Sequence, residues 1–175
     1  MVIPPAAVWP PIQALRRRYD RQVRRWMPHI NMVYPFLVPQ AFAAALPIVA
    51  AICARHPAFT LTLASFAWFR HRQQRYTVWL APEPAAPIQR LHADLVTAFP
   101  QCDDLDRFPH GYTPHLSIGQ FSGSHDALLA FIAERQHQWR PLRFAVAHLS
   151  LIRRGDPPDD VFREIRRFPL KPADA

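Results

Sequence analysis

The sequence predicts an α+β domain assembled from two similar halves. Two observations lead there. Strand-like and helix-like apolar periods follow one another in the same order twice along the 175 residues, and corresponding residues keep a nearly fixed separation. Phe59, Leu61 and Leu63 alternate, then the parity slips by one residue to Phe66 and Trp68. Leu142, Phe144 and Val146 alternate and slip in the same way to Leu149 and Leu151. Each of these pairs is 83 residues apart, and the shared slip implies a bulge at one place in both halves. His29 and His115, each in a short run after a proline, are 86 apart. The expected unit is a strand, a helix, a long strand and a return strand. It occurs roughly over 25–85 and 111–170 inside a single domain, 1–175.

Met1 to Pro5 has room for a short strand. Ile12, Leu15, Tyr19 and Val23 recur at helical spacing with Arg16, Arg17, Arg21 and Arg24 opposite them, which reads as a basic amphipathic helix with a solvated face, loosening near Asp20. Prolines bracket 28–36 and favour an extended run. Ala41 to Arg55 reads as helix, with Pro47 in its first turn. Phe59–Phe69 and Arg75–Ala81 form a hairpin about the polar tip 70–74. Pro87 opens a helix with Ile88, Leu91, Leu95 and Phe99 on one face, followed by an acidic connection, 100–108. Pro114 to Phe121 is the second short strand. Ser124 or Asp126 caps a helix running to about His137, Leu142–Ile152 is the second long strand, and a turn at 154–158 leads into a last strand, Phe162–Phe168.

Half of the residues are hydrophobic and 19% are charged, which excludes a disordered tail. No apolar run approaches the roughly 20 residues that cross a bilayer, so the expectation is a cytoplasmic chain with no membrane partner. Cys53 and Cys102 give no disulfide framework and no cysteine-rich zinc site. The net charge of +8 comes from arginine, with Lys171 the one lysine. Guanidinium groups suit phosphate-bearing partners, but a GC-rich coding sequence would leave the same bias, and charge alone does not decide.

The chemistry lies in the two short strands. Residues i and i+2 share a strand face, so His29 with Asn31 and His115 with Ser117 each set an imidazole beside a neutral hydrogen-bond donor, while Ile30, Met32, Leu116 and Ile118 face apolar packing. A pseudo-twofold axis between the halves would bring both imidazoles into one cleft. Two such rings suit in-line displacement at phosphorus. One, neutral, takes a proton from the attacking water, and the other, protonated, donates to the departing oxygen, with no metal or cofactor required. Asn31 and Ser117 can donate to the non-bridging oxygens as charge builds there. The pattern His, apolar, small polar, apolar is expected on the order of 0.1 times by chance in this composition. It occurs three times; the third, His148 to Leu151, falls inside a long strand and has no partner histidine 83 residues away. It reads as a sheet-face histidine.

These paired motifs, together with 15–20 leading into 26–36, resemble the 2H phosphoesterase superfamily and its bacterial 2'-5' RNA ligase family, over nearly the whole chain. The resemblance implies a bilobal, pseudo-twofold α+β fold, with two antiparallel sheets around a central groove and helices outside. It also implies a metal-independent phosphodiesterase acting on 2',3'-cyclic phosphates or 2'-5' linkages. The family's catalytic histidines correspond to His29 and His115, and its second motif hydroxyl to Ser117. Asn31 stands where Thr or Ser is usual; an amide still donates to a phosphoryl oxygen. The implied partner is an RNA end or a small nucleotide carrying a cyclic phosphate, bound by a monomer.

Phe36, Phe66, Trp68, Tyr112 and Phe121 are aromatic candidates for stacking a base, most of them expected in the core, with Tyr112 singled out because its loop precedes the second motif. Arg75 and Arg153 flank hairpin ends and read as solvated. His110 and His115 are five apart and His92 stands alone on a helix, so no metal ligand set is expected. Two other classes compete with the enzyme: a nucleotide- or RNA-binding module that holds phosphate in the same groove without turnover, and a basic scaffold whose two histidines lie far apart.

Overall fold

In the computed structural model, which describes residues 1–105 and 111–173, six strands and four helices follow one another as β1 (Phe59–Arg70), β2 (Arg75–Glu83), β3 (Leu116–Ser122), β4 (Leu142–Val146), β5 (His148–Arg154) and β6 (Phe162–Pro169), with α1 (Trp9–Tyr19), α2 (Phe42–Cys53), α3 (Ala86–Ala98) and α4 (His125–Gln138). His110 and most of the loop before it lie outside the described residues. One sheet has the order β3-β2-β1-β4 and a second pairs β5 with β6, all antiparallel.

The slip read from apolar parity has a direct structural counterpart. The β1–β2 register shifts between Leu63 and Ser65, at Ala64. The long strand Leu142–Ile152 is not continuous. It breaks at Ala147, 83 residues after Ala64, so that its first part (β4) pairs with β1 and its second part (β5) pairs with β6. One strand direction thereby serves two sheets. Leu61 sits opposite Phe144, two residues that are themselves 83 apart, and both are buried.

The amino end extends the second sheet. Met1 exchanges backbone hydrogen bonds with Ser150 on β5, and Val2 exchanges them with Ile30, at 2.8 and 2.9 Å. The expected strand over 28–36 reduces to that bridge at Ile30; bends and turns occupy the residues beyond it. Pro47 is mid-helix in α2 and faces solvent, not in the first turn. Helix α1 ends at Tyr19, close to the expected point, but Arg16 is no part of a solvated face. It is 2% exposed, and its Nε and Nη2 donate to Asp20 Oδ2 at 3.0 and 2.8 Å. Burial is tolerable because the partner carboxylate is one turn away and also buried.

Helix α1 packs on β3 closely enough to require a glycine. A Cβ at Gly119 would lie 2.5 Å from the carbonyl carbon, oxygen and Cβ of Tyr19. The contact is tied by Gln120, whose Oε1 accepts from Arg21 N at 3.1 Å. Ser124 caps α4 by accepting from Ala127 N at 3.2 Å. A continuous apolar core joins the inward faces of both sheets to the helices. Among the described residues no helix is long and apolar enough to cross a membrane.

Candidate active site

The two histidines stand at equivalent points in their local chain. Each follows a buried proline and enters an extended segment whose next residue, Ile30 or Leu116, is buried. Each also turns its Nδ1 back onto the carbonyl two residues earlier, His29 to Met27 O at 2.7 Å and His115 to Thr113 O at 2.8 Å. A carbonyl only accepts, so the proton is fixed on Nδ1 in both rings and Nε2 is left as the basic atom. The same tautomer is thus built twice, 86 residues apart.

Electrostatics places the rings within reach of one another. Burial lowers the His29 pKa to about 4. The hydrogen bond to Met27 opposes that shift, while Arg16, the terminal amino group and His115 reinforce it by disfavouring another positive charge. Burial also lowers His115 below the usual imidazole value, against the opposing bond to Thr113. The buried Arg16 therefore bears on His29, although its place in the helical pattern predicts a solvated side chain.

Asn31 and Ser117 are half-buried and lie two residues beyond their histidines. Leu116 and Ile118 are buried on the other face, as the alternation requires. Asn31 Oδ1 is buried without a hydrogen-bond partner among the described residues. The Asn31 backbone, by contrast, is held firmly. Tyr112 donates from its hydroxyl to Asn31 O at 2.5 Å, and His92 Nδ1 donates to Met32 O, also at 2.5 Å. The two rings stack on each other with centroids 3.8 Å apart. Tyr112, expected to stack a base, is thus half-buried against the core and clasps the first motif from the loop that leads into the second. His92, solitary in the sequence, is the other half of that clasp.

The aromatic neighbours of the histidines are ones that the sequence left out. Trp26 stacks on His29 at 5.0 Å and on Phe162 at 3.6 Å. Phe69 stands edge-on to His115 at 4.9 Å, and Trp79 lies 5.8 Å from it. The strand parity of Phe69 and Trp79, opposite to the buried Phe66, Val78 and Leu80, was the available signal. For Trp26 only its position three residues before His29 pointed there. Phe66 is buried, and Phe36, Trp68 and Phe121 pack half-buried against the core. Arg75 is exposed at the hairpin tip, and Arg153 pairs with Asp156 at 3.1 Å. In the third motif, Ser150 donates to Glu164 and His148 Nε2 lies 3.9 Å from the same carboxylate, so both polar groups are answered within the β5–β6 ribbon. A cavity of about 530 Å³ between α2, the 33–40 loop and β5 is not lined by either His29 or His115. Among the described residues, no three His, Cys, Asp or Glu side chains gather where they would hold a metal ion.

Comparison with known proteins agrees with this architecture. TT0787 of Thermus thermophilus matches with a TM-score of 0.67 at 15% identity, over 98% of this chain and 96% of that one. E. coli LigT, solved with 3'-AMP, matches with a TM-score of 0.64 at 18% identity, over 97% of this chain and 94% of its own; the same protein solved with phosphate gives 0.61. These likenesses show a common fold. No curated protein matches the chain. The sequence model of the 2'-5' RNA ligase superfamily, however, matches residues 4–158, from the amino-terminal segment through both histidine motifs to the turn after β5. By that match the chain belongs to the 2'-5' RNA ligase superfamily.

Proposed function

We propose that this protein is a metal-independent phosphodiesterase that opens 2',3'-cyclic phosphates, or cleaves 2'-5' linkages, at RNA ends or in small nucleotides. In this reading it works as a cytoplasmic monomer, and its repeats over roughly 25–85 and 111–170 each contribute one catalytic histidine. The observation that carries it is the twice-built tautomer, with the Nδ1 proton of His29 and of His115 given to the carbonyl two residues back and each Nε2 left basic. The superfamily match supports it independently.

The chemistry follows from the asymmetry between the rings. His29, lowered to about 4 by burial with Arg16 adding to the shift, is neutral at physiological pH and serves as the base. Its Nε2 takes a proton from water as the water oxygen bonds to phosphorus. The bond from phosphorus to one ribose oxygen breaks, and His115 Nε2–H protonates that oxygen. His115 lacks the Arg16 contribution, and a phosphate anion in the groove raises its proton affinity, which suits it to the acid role. The Asn31 amide and the Ser117 hydroxyl donate to the non-bridging oxygens as negative charge accumulates.

The test is turnover of 2',3'-cyclic AMP in excess EDTA, with the product identified by phosphorus NMR. Single His29→Ala and His115→Ala variants should each lose at least about 100-fold in kcat. Wild-type rates in either variant would overturn the assignment. One observation favours a second reading, a binding module without turnover: the unpartnered Asn31 Oδ1 presents an acceptor where the mechanism needs a donor. Tight AMP binding with no product would select it.

A further inference from the structure

We infer that the substrate is an RNA strand whose backbone leaves the paired histidines along the exposed face of β1, β2 and β3 and reaches a basic platform at the β1–β2 hairpin tip. The inference rests on the phosphodiesterase reading and names the substrate class of that same site.

Strand alternation sets the path. The register pairs Phe69 with Thr77, Thr77 with Gln120, Trp79 with Ser117, and Arg75 with Ser122. Residues 69, 75, 77 and 79 thus share the face of Ser117, while Tyr76, Val78 and Leu80 point into the core. His71 belongs to this face as well, since its Nε2 lies 2.9 Å from Thr77 Oγ1. Beside His115 the face is aromatic, through Phe69 and Trp79. Four residues along β2, roughly 13 Å at strand rise, it becomes cationic at Arg75. Arg70 and Arg72 complete the tip.

All three arginines are exposed, none forms an ion pair among the described residues, and no Asp or Glu occurs between positions 57 and 82. The tip is nonetheless anchored, with His71 N bonded to Arg75 O at 2.7 Å and Gly123 N to Gln74 O at 3.1 Å. One further group awaits a ligand. Trp79 is 8% exposed, and its buried Nε1–H has no acceptor among the described residues. An aromatic floor leading to unpaired guanidinium groups is the combination that holds single-stranded RNA, with bases stacked on rings and phosphates on cations. A cyclic mononucleotide would leave the tip unused.

The experiment compares kcat/KM for an eight-nucleotide RNA ending in a 2',3'-cyclic phosphate with that for 2',3'-cyclic AMP, in the wild type and in the R70Q/R72Q/R75Q variant. The expected result is a preference of at least about tenfold for the RNA in the wild type that collapses toward one in the variant. The slope of log affinity against log salt, read by anisotropy with the same RNA ending in a 3'-phosphate, should become shallower by about two, the release expected from three single-strand phosphate contacts. A wild type that opens cyclic AMP yet shows no preference, or a variant that keeps both preference and slope, overturns the inference and leaves the enzyme reading standing. If neither substrate is opened, the enzyme reading falls, and an unchanged salt slope in the variant would then overturn the RNA path as well.

Discussion

Replacing His29 by Gln removes a titrating group whose burial is written into the pH dependence of folding. An unfolded histidine titrates near 6.5, whereas His29 in the folded chain is lowered to about 4. Between those values the unfolded state binds the extra proton, so the native state is disfavoured as pH falls. The associated stability is fully present above about pH 6.5, declines as pH drops through that value, and levels off below about 4. Integrated from pH 7.5 to pH 4.5, the linkage amounts to about 2.5 kcal/mol. Urea denaturation of the wild type and His29→Gln at those two pH values measures it. The variant starts lower at pH 7.5, having lost the bond to Met27 O, but its stability should fall by about 2.5 kcal/mol less than that of the wild type between the two conditions. Equal falls in both proteins would refute the claim that His29 is buried and neutral.

Two structural predictions concern the parts that aim the motifs. Tyr112→Phe removes the hydroxyl that holds Asn31 O and should cost about 1–2 kcal/mol in urea denaturation, with a fall in kcat on cyclic AMP because the first motif loosens; unchanged values of both would place the clasp outside the site's support. Gly119→Ala forces a methyl against the backbone of Tyr19 and should cost about 2–3 kcal/mol in the same assay, and a neutral effect would contradict the close approach of α1 to β3.

The sequence made periodicity visible and left long-range contacts hidden, and particular residues show why. The slip after Leu63 and after Val146 could be seen because apolar parity records which face of a strand is buried, and it coincides with the register shift at Ala64 and the break at Ala147. That the second slip ends one pairing and begins another depends on β1 and β6 competing for the same strand, which no local pattern encodes. Residues 28–36 looked extended because prolines restrict them, yet only Ile30 finds a ladder partner. Arg16 looked solvated because guanidinium groups usually are; its burial follows from Asp20 one turn later and from β3 covering the end of α1. Of the site, the motif residues were legible from their repeated spacing. The rings beside them, and the clasp made by His92 and Tyr112, are contacts between distant segments.

The convergence of both imidazoles on a single phosphoryl group is tested most directly by nitrogen-15 NMR of the histidine side chains during titration with inorganic phosphate. The account predicts that His29 and His115 begin as Nδ1–H tautomers and that both Nε2 signals shift together along one binding curve, with one phosphate bound per chain. A ring that begins as the Nε2–H tautomer, or two rings that respond with different midpoints, would contradict it.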